Sequence, residues 1–183
     1  MKRNTPEDTE FYYSLIKKNS SSRQLFAESK AKYEEIQYKE AAKNLSKFKF
    51  KDIEDKKTSL EQFKGKYIFM KVWTSFCKPC IQDLKELDNL RKKHSKDKIE
   101  FIGVSVDKLE KFETWQEVVT SNGIKIPQLF FNDSRQLFFE TYDISQIPAF
   151  IILSKKGIPI DINIKNFNTK KVDNIIRDLL KHN

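Results

Sequence analysis

The chain has 183 residues, room for one ordinary domain with an appendage and too little for two full-sized ones. Hydrophobic residues make up 38% and aromatics 13%, with 15 Phe, which supports a packed core, excludes a wholly disordered chain and leaves no apolar run near the roughly 20 residues of a membrane span. The formal charge is +9, from 35 Lys and Arg against 26 Asp and Glu, spread along the chain and dominated by Lys, which reads as solvated surface and predicts no nucleic-acid partner.

In chain order, the amino end, Met1 to Asp8, lacks the apolar stretch of a signal peptide, so the chain is either cytoplasmic or separated from a leader, anchor or upstream region. Residues 9–46 contain no Gly or Pro, and Tyr38, Ala41, Ala42 and Leu45 keep helical spacing. This predicts a helical extension over residues 1–46, ahead of a domain over residues 47–183. Phe48-Lys49-Phe50 alternates and Asp52 to Lys57 has turn chemistry, predicting a hairpin. Leu60 to Lys66 reads as a short helix or turn closed by Gly65.

Tyr67 to Trp73 is a continuous apolar run broken only by Lys71, the pattern of a strand buried on both faces. Ile81, Leu84, Leu87 and Leu90 give the next helix its apolar side, and Arg91-Lys92-Lys93-His94 suits its negative end. Ile99 to Val106 predicts a second buried strand. Phe112 to Val119 predicts a helix, Ile126 to Phe131 an extended piece, and Arg135 to Tyr142 a short helix. Phe150 to Leu153 and Pro159 to Ile164 flank Ser154-Lys155-Lys156-Gly157, a hairpin signal, and Lys171 to Leu180 is amphipathic. Alternating strands and helices with an antiparallel finish define an α/β layered domain.

Cys77 and Cys80 are the two cysteines. A secreted scaffold would carry more, dispersed along the chain, and tetrahedral zinc would need His94 and His182 as well. Both histidines lie in Lys-rich stretches and read as solvated, so no metal is expected. The informative order is strand, Trp73-Thr74-Ser75-Phe76-Cys77-Lys78-Pro79-Cys80, helix. A cysteine at a helix start faces unpaired N–H groups and a partial positive charge, both of which favour thiolate over thiol. Pro79 suits the first helical turn, where its missing N–H leaves nothing unsatisfied. The three-residue spacing lets the second sulfur reach the first. Cys77, at the solvent end, is therefore the expected nucleophile and Cys80, one turn in, the shielded resolving thiol. Lys78 adds a nearby cation. Two core cysteines meeting by chance is the weaker reading.

Trp73 through Cys80 resembles the W-x-x-x-C-x-P-C signature of the thioredoxin superfamily. Residues 48–181 further resemble its TlpA/ResA-like thiol–disulfide oxidoreductases, through Phe50-Lys51-Asp52, Leu60 with Phe63 to Lys66, Phe101 to Asp107, Tyr142-Asp143-Ile144, Ile147-Pro148 and Gly157. The resemblance implies a thioredoxin fold, a central mixed β-sheet flanked by helices, with an N-terminal β-hairpin and the added N-terminal helical extension. It implies a cis bond between Ile147 and Pro148, which exposes the Ile147 backbone as a substrate-docking edge beside Cys77. The superfamily commonly places a buried acid six residues before the nucleophile; Lys71 stands there instead. Asp83 supplies the acid often found three residues after the second cysteine, which suggests that Lys71 and Asp83 pair beneath the disulfide and share proton handling; the alternative is a Lys71 that extends to solvent and an Asp83 exposed on its helix. The helix proline expected five residues after Cys80 is replaced by Lys85.

These features predict dithiol–disulfide exchange with protein thiols and disulfides, a separate upstream redox partner that resets the pair, and a monomer. They predict no cofactor beyond the redox-active disulfide Cys77–Cys80. Lys78-Pro79 lacks the His of the strongly oxidising relatives, which implies a reductant. The resemblance also implies a periplasmic or otherwise extracytoplasmic setting in a bacterium, with the cytoplasm as alternative. A peroxiredoxin-like peroxide reductase is a competing reading: Thr74 lies three residues before Cys77, but Met70 takes the proline position of P-x-x-x-T-x-x-C and Arg135 is the candidate activating arginine. A non-catalytic interaction module is a third.

Overall fold

The computed structural model describes residues 45–94, 98–160 and 167–181, together with Glu28 and Lys32. Most of the expected helical extension, residues 1–46, lies outside the described residues, as do His182 and residues 161–164 of the Pro159 to Ile164 segment.

Two central strands set the frame. β3 (Tyr67–Trp73) and β4 (Ile99–Ser105) pair in parallel, with every residue of both buried. Such strands have no solvent face, which is why their sequences run apolar without alternation. β5 (Gln128–Phe131) extends the parallel set beyond β4, and β6 (Ala149–Leu153) closes on β3 antiparallel. The short β1 (Phe50–Lys51), β2 (Lys57–Thr58) and β7 (Pro159–Ile160) complete a seven-stranded sheet ordered β2-β1-β5-β4-β3-β6-β7. The first hairpin turns at Asp52, whose Oδ1 accepts the Glu54 and Lys56 amides, each at 2.9 Å. A 3-10 turn over Leu60–Phe63 ends at Gly65, which has φ +82° and so needs no Cβ.

Among the described residues four helices cover the sheet: α1 (Lys78–Lys93), α2 (Phe112–Ser121), α3 (Arg135–Thr141) and α4 (Thr169–Lys181). Alternation along β3 divides the core between its two faces. Phe69 and Trp73 pack with Leu84, Leu87 and Leu90 of α1, Trp115 and Val119 of α2, and Val172 and Ile176 of α4. Ile68, Met70 and Val72 pack on the other face with Phe138 of α3 and with Leu45, Phe48 and Leu60. Leu84, Leu87 and Leu90 are fully buried, and each such side chain stabilises the fold by about 1.5–3 kcal/mol. A Phe-rich knot holds the second layer, with the Phe131 and Phe138 rings 4.5 Å apart and the Phe48 and Phe138 rings 5.1 Å apart.

One local expectation is corrected. His94 is not a solvated residue: its Nε2 lies 2.7 Å from Asp173 Oδ1 of α4, and Arg177 binds the other oxygen of that carboxylate at 2.8 Å. The α1 terminus is thereby tied to the last helix, a partnership between residues far apart in sequence.

Candidate active site

β3 delivers the chain to the site. After Trp73 it turns through Thr74, Ser75 and Phe76, with the Cys77 amide donating to the Thr74 carbonyl at 3.0 Å, and α1 then starts. Cys77 is the N-cap of α1, yet its side chain caps no amide, and the first turn contains no acidic residue. The positive end of this helix is therefore left facing the sulfur. Pro79 sits in the first turn. Cys77 and Cys80 form a disulfide with their Cα atoms 5.3 Å apart. Cys77 is half-buried and Cys80 has no exposed surface. Phe76, beside Cys77, is 80% exposed, an unusual position for so large an apolar side chain, and Lys78 is also exposed.

The opposite wall comes from β6. The Ile147–Pro148 bond is cis, and both residues are half-buried. Ala149 pairs with Val72, so the next step of that antiparallel register brings Pro148 alongside Trp73, at the mouth of the CxxC turn. Trp73 itself is fully buried in the core shared with Cys80, and its indole N–H has no hydrogen-bond partner among the described residues.

Lys71 and Asp83 do meet: the ammonium lies 2.7 Å from the Asp83 carboxylate and 4.1 Å from the centre of the Phe150 ring. Lys71 is fully buried, and desolvation pushes its pKa below the ordinary lysine value, against the opposing hydrogen bond and charge of Asp83.

Sequence reasoning assigned no role to Asp107. This buried carboxylate follows β4 and reaches across to the turn before Cys77. It accepts the Ser75 amide at 2.7 Å, the Ser75 hydroxyl at 3.1 Å and the Ser105 hydroxyl at 2.7 Å. The Val106 amide adds a bond to the Trp73 carbonyl at 2.9 Å. The end of β4 thus fixes the path of residues 73–75. A strand closing on Ser-x-Asp opposite a Ser was the available signal, but the partner lies 32 residues away.

Of the peroxiredoxin-type candidates, Met70 is fully buried within β3 and Arg135 donates to the Val106 carbonyl. Among the described residues no group of three or more His, Cys, Asp or Glu side chains is arranged to hold a metal ion, and no helix is long and apolar enough to cross a membrane.

Sequence and fold are both similar to those of known proteins. The profile of the AhpC/TSA family matches residues 41–159, more than half of the chain. The chain belongs to the AhpC/TSA family. Among similar members is the thiol–disulfide oxidoreductase ResA of Bacillus anthracis, 28% identical over 115 residues, which are 63% of this chain and 64% of that one. The chain therefore spans slightly less than two thirds of the length of the first curated relatives it matches. The thioredoxin-like protein YneN of Bacillus subtilis is 30% identical over 122 residues, 67% of this chain and 58% of its own. A solution structure of a Bacteroides vulgatus protein described as a thiol–disulfide oxidoreductase superposes with a TM-score of 0.62 at 34% identity, over 73% of this chain and 86% of that chain. The fold is the thioredoxin fold, a mixed sheet flanked by helices.

Proposed function

We propose that the protein is a thiol–disulfide oxidoreductase that reduces disulfides in protein substrates. The observation that carries this reading is the placement of its two sulfurs. Cys77 is half-buried at an uncapped helix N-terminus and is bonded to a Cys80 that solvent does not reach. In the reduced protein the backbone amides of α1 and the nearby Lys78 favour the Cys77 thiolate. That thiolate attacks one sulfur of a substrate disulfide, forming a mixed disulfide and releasing the other sulfur as a thiolate. Cys80 then attacks Cys77, the Cys77–substrate bond breaks, and two electrons have passed from the cysteine pair to the substrate. An external dithiol partner returns the pair to its reduced state.

Substrate docking falls to the edge beside Cys77. The exposed Phe76 offers an apolar contact, and the cis Ile147–Pro148 segment leaves backbone groups for an extended chain to bind. No organic cofactor or resident metal enters this scheme. The reducing direction rests on the Lys78-Pro79 dipeptide, and the extracytoplasmic setting on the resemblance to TlpA/ResA-like proteins.

Reduction of insulin disulfides by the wild type and by Cys77→Ser tests the reading. Wild-type activity that Cys77→Ser abolishes supports it; equal activity in the two removes it. Consumption of hydrogen peroxide by the reduced wild type, without insulin reduction, would favour the peroxide-reducing alternative instead.

A further inference from the structure

The two sulfurs are not held equally. Cys80 lies inside α1 with no exposed surface, packed in the core with Leu84 and Trp73. Cys77 precedes the helix as its N-cap, at φ −83° and ψ 88°, and is half-buried. On its helix side the Cys80 amide donates to the Cys77 carbonyl at 3.0 Å, a terminal bond of the kind that frays. On its strand side the Cys77 amide donates to the Thr74 carbonyl at 3.0 Å, so the place of Cys77 follows that of the turn before it. That turn is tied to the end of β4 by the Val106 amide on the Trp73 carbonyl at 2.9 Å and by the Ser75 amide on the Asp107 carboxylate at 2.7 Å. Asp107 is itself fixed: its own amide donates to the Ser105 hydroxyl oxygen at 3.1 Å, and its carboxylate accepts from the Ser75 and Ser105 hydroxyls. Val106, just before it, accepts from Arg135 of α3. The donors to this carboxylate are neutral, so it is buried at a cost that good geometry must offset.

We propose that Asp107 is a positioning residue for the redox couple: by fixing the turn before Cys77 it keeps the dithiol in the geometry that the disulfide needs, and so makes the pair a stronger reductant. This rests on the thiol–disulfide exchange reading above. When the pair reduces a disulfide, the Cys77–Cys80 bond forms and the substrate S–S bond breaks. Two electrons and the two thiol protons pass to the substrate, which leaves as two thiols. Closing the pair is favourable to the extent that the Cys77 backbone is already in place. With the Ser75 tether gone, the dithiol gains freedom that the disulfide must take back. Ordering one residue's backbone lowers the disulfide-to-dithiol ratio roughly five- to thirtyfold.

The experiment equilibrates the wild type, Asp107→Ala and Asp107→Asn with glutathione buffers of known ratio at one pH, and counts free thiols by alkylation and mass. Asp107→Ala shifts the equilibrium about tenfold toward the dithiol, which is about 30 mV to less negative potential. Asp107→Asn keeps an oxygen for the Ser75 amide and shifts it about threefold. A carboxylate that only stabilises the fold lowers the stability of the oxidised and reduced forms equally and leaves the potential where it is. A shift below threefold for Asp107→Ala, or one toward the disulfide, overturns the proposal. An Asp107→Asn shift as large as that of Asp107→Ala also overturns it, since loss of charge and not of the tether would then be the cause. Where Asp107→Ala does not fold, Asp107→Asn decides: a shift toward the dithiol of less than twofold overturns the proposal. The insulin assay separates the two levels, since an inactive wild type removes the exchange reading, whereas an active one with unshifted potentials in the variants removes this inference alone.

Discussion

Asp107→Ala removes one side chain and leaves three donors without their acceptor. The Ser75 amide, the Ser75 hydroxyl and the Ser105 hydroxyl all donate to this carboxylate, which is 6% exposed. A hydrogen bond to a charged group contributes about 1.5–3 kcal/mol, and a stranded buried donor costs about 1–3 kcal/mol. The hydroxyls can rotate toward other acceptors, but the Ser75 amide cannot, because the turn between Trp73 and Cys77 fixes it. Relief of carboxylate burial offsets part of the loss, so the expected cost is about 3–4 kcal/mol. Asp107→Asn retains one oxygen for the Ser75 amide and should cost about half as much. Urea unfolding at neutral pH, followed by tryptophan fluorescence, measures both, with an unchanged m-value marking a stability effect alone. Because the same bonds fix residues 73–75, insulin reduction should fall in Asp107→Ala even at urea concentrations where the variant is fully folded. A cost below about 1 kcal/mol for Asp107→Ala, or an Asp107→Asn variant as unstable as Asp107→Ala, would refute the claim that this carboxylate anchors the turn.

Two further outcomes follow from particular residues. Asp143 ends α3 in the left-handed region at φ +49°, with the Ile144 amide closing the cap on the Phe139 carbonyl at 2.9 Å, so Asp143→Gly should raise the thermal midpoint, with a gain of up to about 1 kcal/mol; a fall of similar size would show that the Asp143 side chain contributes more than its backbone strain costs. Burial alone would raise the Asp173 carboxyl, but the His94 hydrogen bond, with the charges of Arg177, His94 and Lys93, outweighs it and holds the pKa below the usual aspartate value. A depressed carboxyl contributes stability that is present above its unfolded pKa and is lost as pH falls through the folded one. The wild type should therefore lose stability on acidification below about pH 4 more steeply than Asp173→Asn, and parallel pH–stability curves for the two would contradict this.

The elements of the fold were legible wherever local pattern and tertiary environment agree. β3 and β4 read as apolar runs because both their faces are covered, α1 as a leucine stripe because only one of its faces is, and the β6–β7 turn as a glycine hairpin. The CxxC turn was legible for the same reason: strand, cysteines, proline and helix are contiguous, and proximity of the sulfurs follows from their spacing. The cis bond before Pro148 was anticipated through resemblance, since an X–Pro bond states its isomer only in a folded setting.

What the residues alone determined, then, is everything carried by short-range order: the strand and helix periods, the sulfur pair and its position at a helix mouth. Only the tertiary structure decided which distant groups meet. It set Asp83 rather than solvent against the Lys71 ammonium, aimed the Asp107 carboxylate at the Ser75 amide, and turned His94 from a surface side chain into a clamp on α4. The physical reason is common to all three. A buried or half-buried charge must find a partner, and composition fixes that need while the packing of the sheet and its helices chooses the partner.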